Sequence, residues 1–306
     1  MLQEWIKYLC DPIDKTSLKI DKVIKKKGRD ILFGTLKNKS GNIYKIKEGV
    51  PMLLNRQTQS IRTVDSFAYE WENFDFDYGK KGWFQNIVKP VLGGTEYFKG
   101  KIIIDCGAGS GRQSLWMTQA GAKFVFSVEL SDSATTMVRK VTNKFKDKVF
   151  VIQADIAHLP INRKTAAIDL AYCINVIQHT KSPKKATAEI SKLLGRSSDF
   201  IFNIYLRRGK SYLIDFIQFF RKLIGALPNS FIKLISFMIA ILIYPLKLKR
   251  NSFKELWLDV YDLLGTHHYQ KFYSEEYLAK MLAELNLKIM KRTYYAMLLR
   301  KVNTLT

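Results

Sequence analysis

Only three cysteines, Cys10, Cys106 and Cys173, occur among the 306 residues. They are too few and too scattered for a disulfide framework or a closed zinc site, and such usage fits a reducing compartment. Residues 1–10 hold no apolar run long enough for a signal peptide, so a cytoplasmic location is expected. No internal repeat and no low-complexity tract is present. Acids are scarce: 27 Asp and Glu stand against 50 Lys and Arg, a formal charge of +23. That balance points to phosphate-bearing partners or an anionic membrane surface. What remains is ordinary. At 47% hydrophobic and 25% charged, the chain can bury a core and is not wholly disordered. Its length allows one large domain, or one with a small appendage.

The charge is localised. Residues 15–47 carry eleven Lys/Arg and two Asp, and residues 201–250 carry nine Lys/Arg and one Asp. Between them, Asp65 to Asp77 holds five acids and no base, interleaved with Phe67, Tyr69, Trp71, Phe74 and Phe76.

Residues 1–54 read as a small β-rich unit. Ile31–Leu36 is a strand candidate, Ser40-Gly41-Asn42 a turn, and Ile43–Lys47 an alternating strand that ends at Gly49-Val50-Pro51. Met52–Leu54 reads as an apolar tail. Residues 55–64 read as a polar linker within a 55–100 segment of linker and helical cap. From Lys101 to the end, strands alternate with helices. Strands are expected at 102–104, 124–128, 149–152, 168–174 and 200–205, with two more in 287–302. Helices are expected at 112–120, after Ser131 with Met137, Val138, Val141 and Phe145 on one face, after Ser182-Pro183, and after Ser274. The helix after Ser182-Pro183 would place Ala186, Ile190, Leu193 and Leu194 inward. This alternation predicts an α/β fold, a Rossmann-like doubly wound parallel sheet covered on both faces.

The first strand of that region runs into Asp105-Cys106-Gly107-Ala108-Gly109-Ser110-Gly111. Glycine lets backbone turn sharply and approach a ligand closely, and this loop faces the nucleotide crevice of an open α/β sheet. Arg112 stands where a dinucleotide fingerprint wants its last glycine, which disfavours NAD. Asp105 would repel a pyrophosphate but suits a ligand bearing ammonium and sulfonium groups. Glu129, 18 residues after Gly111 at the next strand end, can accept hydrogen bonds from ribose hydroxyls. Asp155, beside Ile156, can accept from an exocyclic amine. Asn175 and His179 follow the fourth strand at the same edge.

These segments, with Val128-Glu129-Leu130-Ser131, Gln153-Ala154-Asp155-Ile156 and Ile168-Asp169-Leu170, resemble the ordered motifs of class I S-adenosylmethionine-dependent methyltransferases of the type 11 group. The resemblance covers about residues 65–205, and Thr266-His267-His268-Tyr269 is similar to a His-rich segment of bacterial members. It implies S-adenosylmethionine as cofactor. Asp105, Gly107, Gly109 and Gly111 would surround its methionine part, Glu129 the ribose and Asp155 the adenine, with Ile156 and Asn175 alongside. Leu9-Cys10-Asp11-Pro12, Gly41–Tyr44 and Glu48–Leu54 together resemble a Trm112-like, zinc-ribbon-related domain. With one cysteine where members carry pairs, a metal-free unit is expected, Cys10 being a small core residue.

Methyl transfer from a sulfonium is an in-line displacement, in which the protein aligns the partners and a base can remove the acceptor's proton. Candidate bases are His179, His267 and His268. The loop after the fourth strand lacks the proline-aromatic signature of nucleic-acid amino methylation, and no proline precedes Cys173, so nucleic acid is disfavoured. The insertion at 211–250 is more telling. From Leu223 to Leu246 only Lys233 is charged, Ser230 can open a helix to Ile243, and bases flank it. A helix of ~21 Å is short against a ~30 Å bilayer core and fits a membrane surface instead. The expected acceptor is a small molecule, lipid or lipid-linked glycan near a membrane. A buried lid or dimer helix, an RNA methyltransferase and a non-catalytic S-adenosylmethionine-binding module are the alternatives.

Overall fold

The computed structural model describes residues 1–54, 67–72, 79–207, 219, 224, 227–246, 252–266 and 271–302. Eleven strands appear among them: β1 (Lys19–Lys27), β2 (Asp30–Lys37), β3 (Ile43–Lys47), β4 (Val50–Leu53), β5 (Ile102–Cys106), β6 (Phe124–Glu129), β7 (Val149–Ala154), β8 (Ile168–Cys173), β9 (Leu194–Phe202), β10 (Leu287–Arg292) and β11 (Met297–Lys301). They form one sheet in the order β1-β2-β3-β4-β7-β6-β5-β8-β9-β11-β10. From β4 to β9 neighbouring strands are parallel, and β11 and β10 close the far edge antiparallel. Because β5 lies between β6 and β8, the chain leaves it toward both sides. The crevice at its carboxyl end is the topological switch point where such sheets bind ligands.

Apolar runs make the parallel strands buried on both faces, as crossover helices require. All six residues of β7 are buried. On one face Ile103, Val125, Val151 and Leu170 pack with Trp83, Met117 and Val138. On the other, Ile104, Phe126, Ile152 and Ala171 join Ala186, Ile190, Leu278 and Met281. The covering helices include α1 (Arg112–Gln119), α2 (Pro183–Lys192) and, near the C-terminus, α5 (Glu275–Glu284). Helix α2 starts as its sequence dictates: the Ser182 hydroxyl accepts the Lys185 N–H at 3.3 Å, and Pro183 takes the first turn, where no N–H is needed. Ser274 caps α5 likewise, accepting the Tyr277 N–H at 3.1 Å. Leu194, expected on the α2 face, instead opens β9, though it is buried in the same core.

Residues 1–54 extend this sheet. Met52–Leu54, read as a tail, is mostly strand: β4 pairs antiparallel with β3 and, through Met52 and Leu53, parallel with Gln153 and Ala154 of β7. Glu48 and Gly49 turn the chain between β3 and β4, both with left-handed φ of 51° and 78°. Strand β1 escaped the sequence reading, because its nine residues are almost all exposed and five are lysines, so no burial period marks it. The core is continuous across the junction. Trp5 stacks on Phe150 at 5.1 Å and 13°, and meets Phe124 edge-on at 5.2 Å. Asp11 is the polar hub of the unit. Its carboxylate accepts from Asn38 at 2.8 Å, Asn42 at 3.0 Å, the Tyr44 hydroxyl at 2.9 Å and the Ile13 N–H at 2.7 Å. Cys10 is buried, and burial pushes its thiol up to about 11.

Of the expected insertion, α3 (Asn229–Ile243) is described, followed after a gap by α4 (Phe253–Tyr261). Helix α3 begins one residue before Ser230, directly after Pro228, which closes off extension upstream. No helix among the described residues is long and apolar enough to cross a membrane. The linker at 55–64 and the flanking bases Arg221, Lys222, Lys247, Lys249 and Arg250 lie outside the described residues.

Candidate active site

A cleft of about 640 Å³ opens at the switch point, lined by Gly107, Gly109, Glu129, Leu130, Ser131, Asp155, Ile156, Asn175, Val176, His179, Thr180, Phe67 and Trp71. Four strand ends thus deliver their polar groups to one place. The loop after β5 is shaped by glycine. Gly107, Gly109 and Gly111 have φ of 82°, 57° and 79°, where an L side chain is strained. A Cβ on Gly107 would fall 2.4 Å from Val176 Cγ2, and one on Gly109 2.9 Å from the Trp71 ring. The N–H groups of Gly107 and Ala108 both donate to the Val128 carbonyl, at 2.8 and 2.9 Å, which folds the loop over the end of β6.

Glu129 ties that loop to the cleft. One carboxylate oxygen accepts the Gly109 N–H at 2.8 Å. The other accepts the Ser131 N–H at 2.8 Å and hydroxyl at 2.7 Å. Burial pushes its pKa up, and these donors pull it back part of the way. Ser131 therefore serves Glu129 and does not cap the following helix. That helix begins near Ala134 as a wide turn, with Val138 buried and Met137, Val141 and Phe145 half-buried.

Asp155 accepts the Ala157 N–H at 2.8 Å, and its other oxygen stands 3.4 Å from His158 Nδ1. Asn175 holds a left-handed φ of 61°. It is fixed by a reciprocal pair with Asn203: its N–H donates to Asn203 Oδ1 and its Oδ1 accepts from Asn203 Nδ2, each at 2.7 Å. Asn175 also lines a neighbouring cleft of about 1330 Å³, with Asn203, Tyr205, Phe272, Arg292 and Tyr295. His179 stands at the first cleft's wall, buried, with Phe67 and Tyr205 edge-on at 5.2 and 6.1 Å.

Two expected cofactor residues lie elsewhere. Asp105 is 1% exposed and accepts the Ser114 hydroxyl at 2.6 Å, Ser114 being in turn 2.8 Å from the Ser127 hydroxyl. It faces the interior and pins α1 to the sheet, so its carboxylate is not in the cleft wall. Gly111 is the N-cap of α1, where a Cβ would meet Val138 at 2.9 Å, and it also stands outside the lining. His267 and His268 lie outside the described residues. Phe67 and Trp71, by contrast, were missed. They sit on one side of a helical segment at 67–72, and their spacing of four within the acidic stretch was the available signal.

Burial pushes the Asp105 carboxyl up to about 7. Between about pH 4 and 7 the folded chain therefore holds a proton there that the unfolded chain has lost. Stability from this group is complete below the unfolded value and declines as pH rises toward 7. Across that window the wild type should lose up to ~4 kcal/mol relative to Asp105→Asn. Thermal melts of both proteins at stepped pH read this difference, and parallel curves would rule it out.

Residues 104–202 match the family described as Methyltransferase domain. The match runs from within β5 to the last residue of β9, and so covers the strand ends that form the cleft. A chloroplastic uncharacterized methyltransferase of Arabidopsis thaliana is 28% identical over 60% of this chain and 52% of its own length. The histone-arginine methyltransferase CARMER of Drosophila erecta is 31% identical over 40% of this chain and 25% of its own. The chain thus spans about half the length of the first relative and a quarter of the second. Among solved structures, the 1,6-didemethyltoxoflavin-N1-methyltransferase of Burkholderia thailandensis, with bound S-adenosylhomocysteine, is 12% identical at a TM-score of 0.44. That alignment covers 83% of this chain and 96% of the other. The segment around the cleft is thus similar to a methyltransferase domain, and S-adenosylmethionine is the cofactor that the sequence motifs lead one to expect there.

The cleft residues fit that cofactor. The two glycine positions are where a side chain would fill the loop, and two buried carboxylates, Glu129 and Asp155, face space that a phosphate-bearing nucleotide would find repulsive. Leu130, Ile156, Phe67 and Trp71 offer apolar and aromatic walls for a purine.

Proposed function

We propose that the whole chain is an S-adenosylmethionine-dependent methyltransferase acting on a lipid, a lipid-linked glycan or a related small molecule at the cytoplasmic face of a membrane. The cleft carries this reading: a glycine loop, Glu129 and Asp155 converge on one space beside a second, larger cleft that shares Asn175. The cofactor supplies an activated methyl group on sulfur. The protein's part is alignment. In this reading Glu129 would hold the ribose and Asp155 the adenine amine, and Asn175, which lines both clefts, would stand between cofactor and acceptor. His179 is the candidate to take the acceptor's proton. Residues 1–54 are proposed as a metal-free, Trm112-like unit. Through β4 they brace the carboxyl half of β7, the strand that leads to Asp155.

Calorimetry with S-adenosylmethionine and with NAD tests the cofactor: heat with the first alone is expected. Incubation with methyl-labelled cofactor and cell extract then tests the acceptor. Label should enter the organic-solvent-extractable fraction. Label in RNA would favour the RNA alternative, supported by the lysines of β1, and intact binding without label anywhere would mark a non-catalytic module.

A further inference from the structure

Helix α3 has two unlike faces. Its inner face, Ile232, Ser236 and Ala240, is buried, and Ala240 packs with Leu256 and Val260 of α4. The Trp257 indole N–H donates to the Ser236 hydroxyl at 3.0 Å, and the Phe237 ring meets Trp257 at 5.0 Å. The outer face carries Phe231, Leu234, Met238, Ile241 and Leu242, all exposed, Leu242 by 74%. Their spacing of three, four, three and one puts them within an arc of about 100° on a helix. That stripe holds no charged residue. In water such a contiguous apolar surface is unfavourable, and it marks an interaction site.

Charge identifies what covers it. From Phe216 to Lys254 the chain has seven Lys/Arg and no acid. An apolar stripe set in an acid-free basic segment complements an anionic lipid surface, where acyl chains take the stripe and headgroups the bases. At 15 residues α3 is ~22 Å long, short of the ~30 Å hydrocarbon core, so it suits lying in the interface.

Position relates the stripe to the catalytic cleft. Tyr69, in the 67–72 helical segment, is 6.1 Å from the Tyr261 ring of α4, and Lys233 Nζ stands 5.6 Å from the Tyr69 ring. The same segment presents Phe67 and Trp71 to the cleft. One short helical segment thus touches both the α3–α4 pair and the cofactor space.

We infer that the outer face of α3 is the docking surface for an anionic bilayer. This deepens the membrane context proposed above by naming the surface that makes the contact. The full-length protein is floated with vesicles of 70% phosphatidylcholine and 30% phosphatidylglycerol, and with phosphatidylcholine alone. The wild type should rise with the anionic vesicles, less so as salt goes from ~0.05 to ~0.5 M. Leu234→Glu/Leu242→Glu should lose at least ~10-fold in vesicle-bound protein, because two carboxylates would have to enter the interface. Its thermal melt and its calorimetric affinity for S-adenosylmethionine should equal the wild type's. Flotation of the double variant like the wild type would overturn the assignment, as would a wild type that ignores anionic vesicles. A wild-type dimer in sedimentation that the double variant splits would overturn it too, since a second copy would then cover the stripe. Calorimetry reads cofactor binding separately, so a failure of the methyltransferase reading is distinguishable from a failure of this surface.

Discussion

Replacing Glu129 with alanine is expected to weaken S-adenosylmethionine binding by ~2–3 kcal/mol, a loss of roughly 30- to 150-fold. Two losses combine. The ribose hydroxyls would lose a charged acceptor, and charge-assisted hydrogen bonds are the stronger kind. The loop would lose its tie as well, because Gly109 N–H and both Ser131 donors now end on this one carboxylate. Glu129→Gln separates the effects. One side-chain oxygen remains for Gly109 or for ribose, while the amide nitrogen opposes whichever donors it faces. Its affinity should fall between the wild type and the alanine variant. Because burial raises the Glu129 pKa, the carboxylate is lost earlier on acidification than an ordinary glutamate. Cofactor affinity should therefore decline as pH falls, and this part of the decline should be absent from the alanine variant. Titration calorimetry over a pH series measures both. Unchanged affinity in Glu129→Ala would remove the ribose assignment.

Trp5→Ala should destabilise the whole protein by ~3–5 kcal/mol, the range for truncating a large buried aromatic. Trp5 is 3% exposed and lies against Phe124 and Phe126 of β6 and Phe150 of β7, strands that carry Glu129 and lead to Asp155. The informative feature is the shape of the transition. If residues 1–54 share one cooperative core with the parallel sheet, denaturant unfolding moves as a single step and cofactor binding falls with it. A separate early transition that leaves cofactor affinity intact would show the N-terminal unit to be energetically independent.

Elements that announce themselves locally were legible in the sequence. Strands β5 to β8 read as continuous apolar runs because they are buried on both faces, and Ser182-Pro183 and Ser274 mark helix starts by their own hydrogen-bonding chemistry. The loop Gly107–Gly111 was legible because glycine takes those dihedral angles without the strain a side chain brings. Strand β1 was not, since an exposed, lysine-rich edge strand has no burial pattern to read. Strand β4 looked like a tail because four residues are too few for a period, and its role comes from pairing with β7, about 100 positions away.

The sequence by itself determined which chemistry was available: a glycine turn, acids at successive strand ends, and an apolar helix among bases. These are properties of residue type and short-range spacing. Only the tertiary structure decided which of those groups meet. Asp105 and Glu129 are both acids beside the same loop, yet Asp105 turns inward to Ser114 and Glu129 turns to Gly109 and the cleft. Alternate residues of a strand point to opposite sides, so one position along β5 or β6 separates interior from site. Phe67 and Trp71 reach the cleft, and residues 1–54 join the sheet, through contacts between segments far apart in sequence. No local pattern encodes such contacts, because the free energy that selects them comes from burying surfaces the chain brings together only when folded.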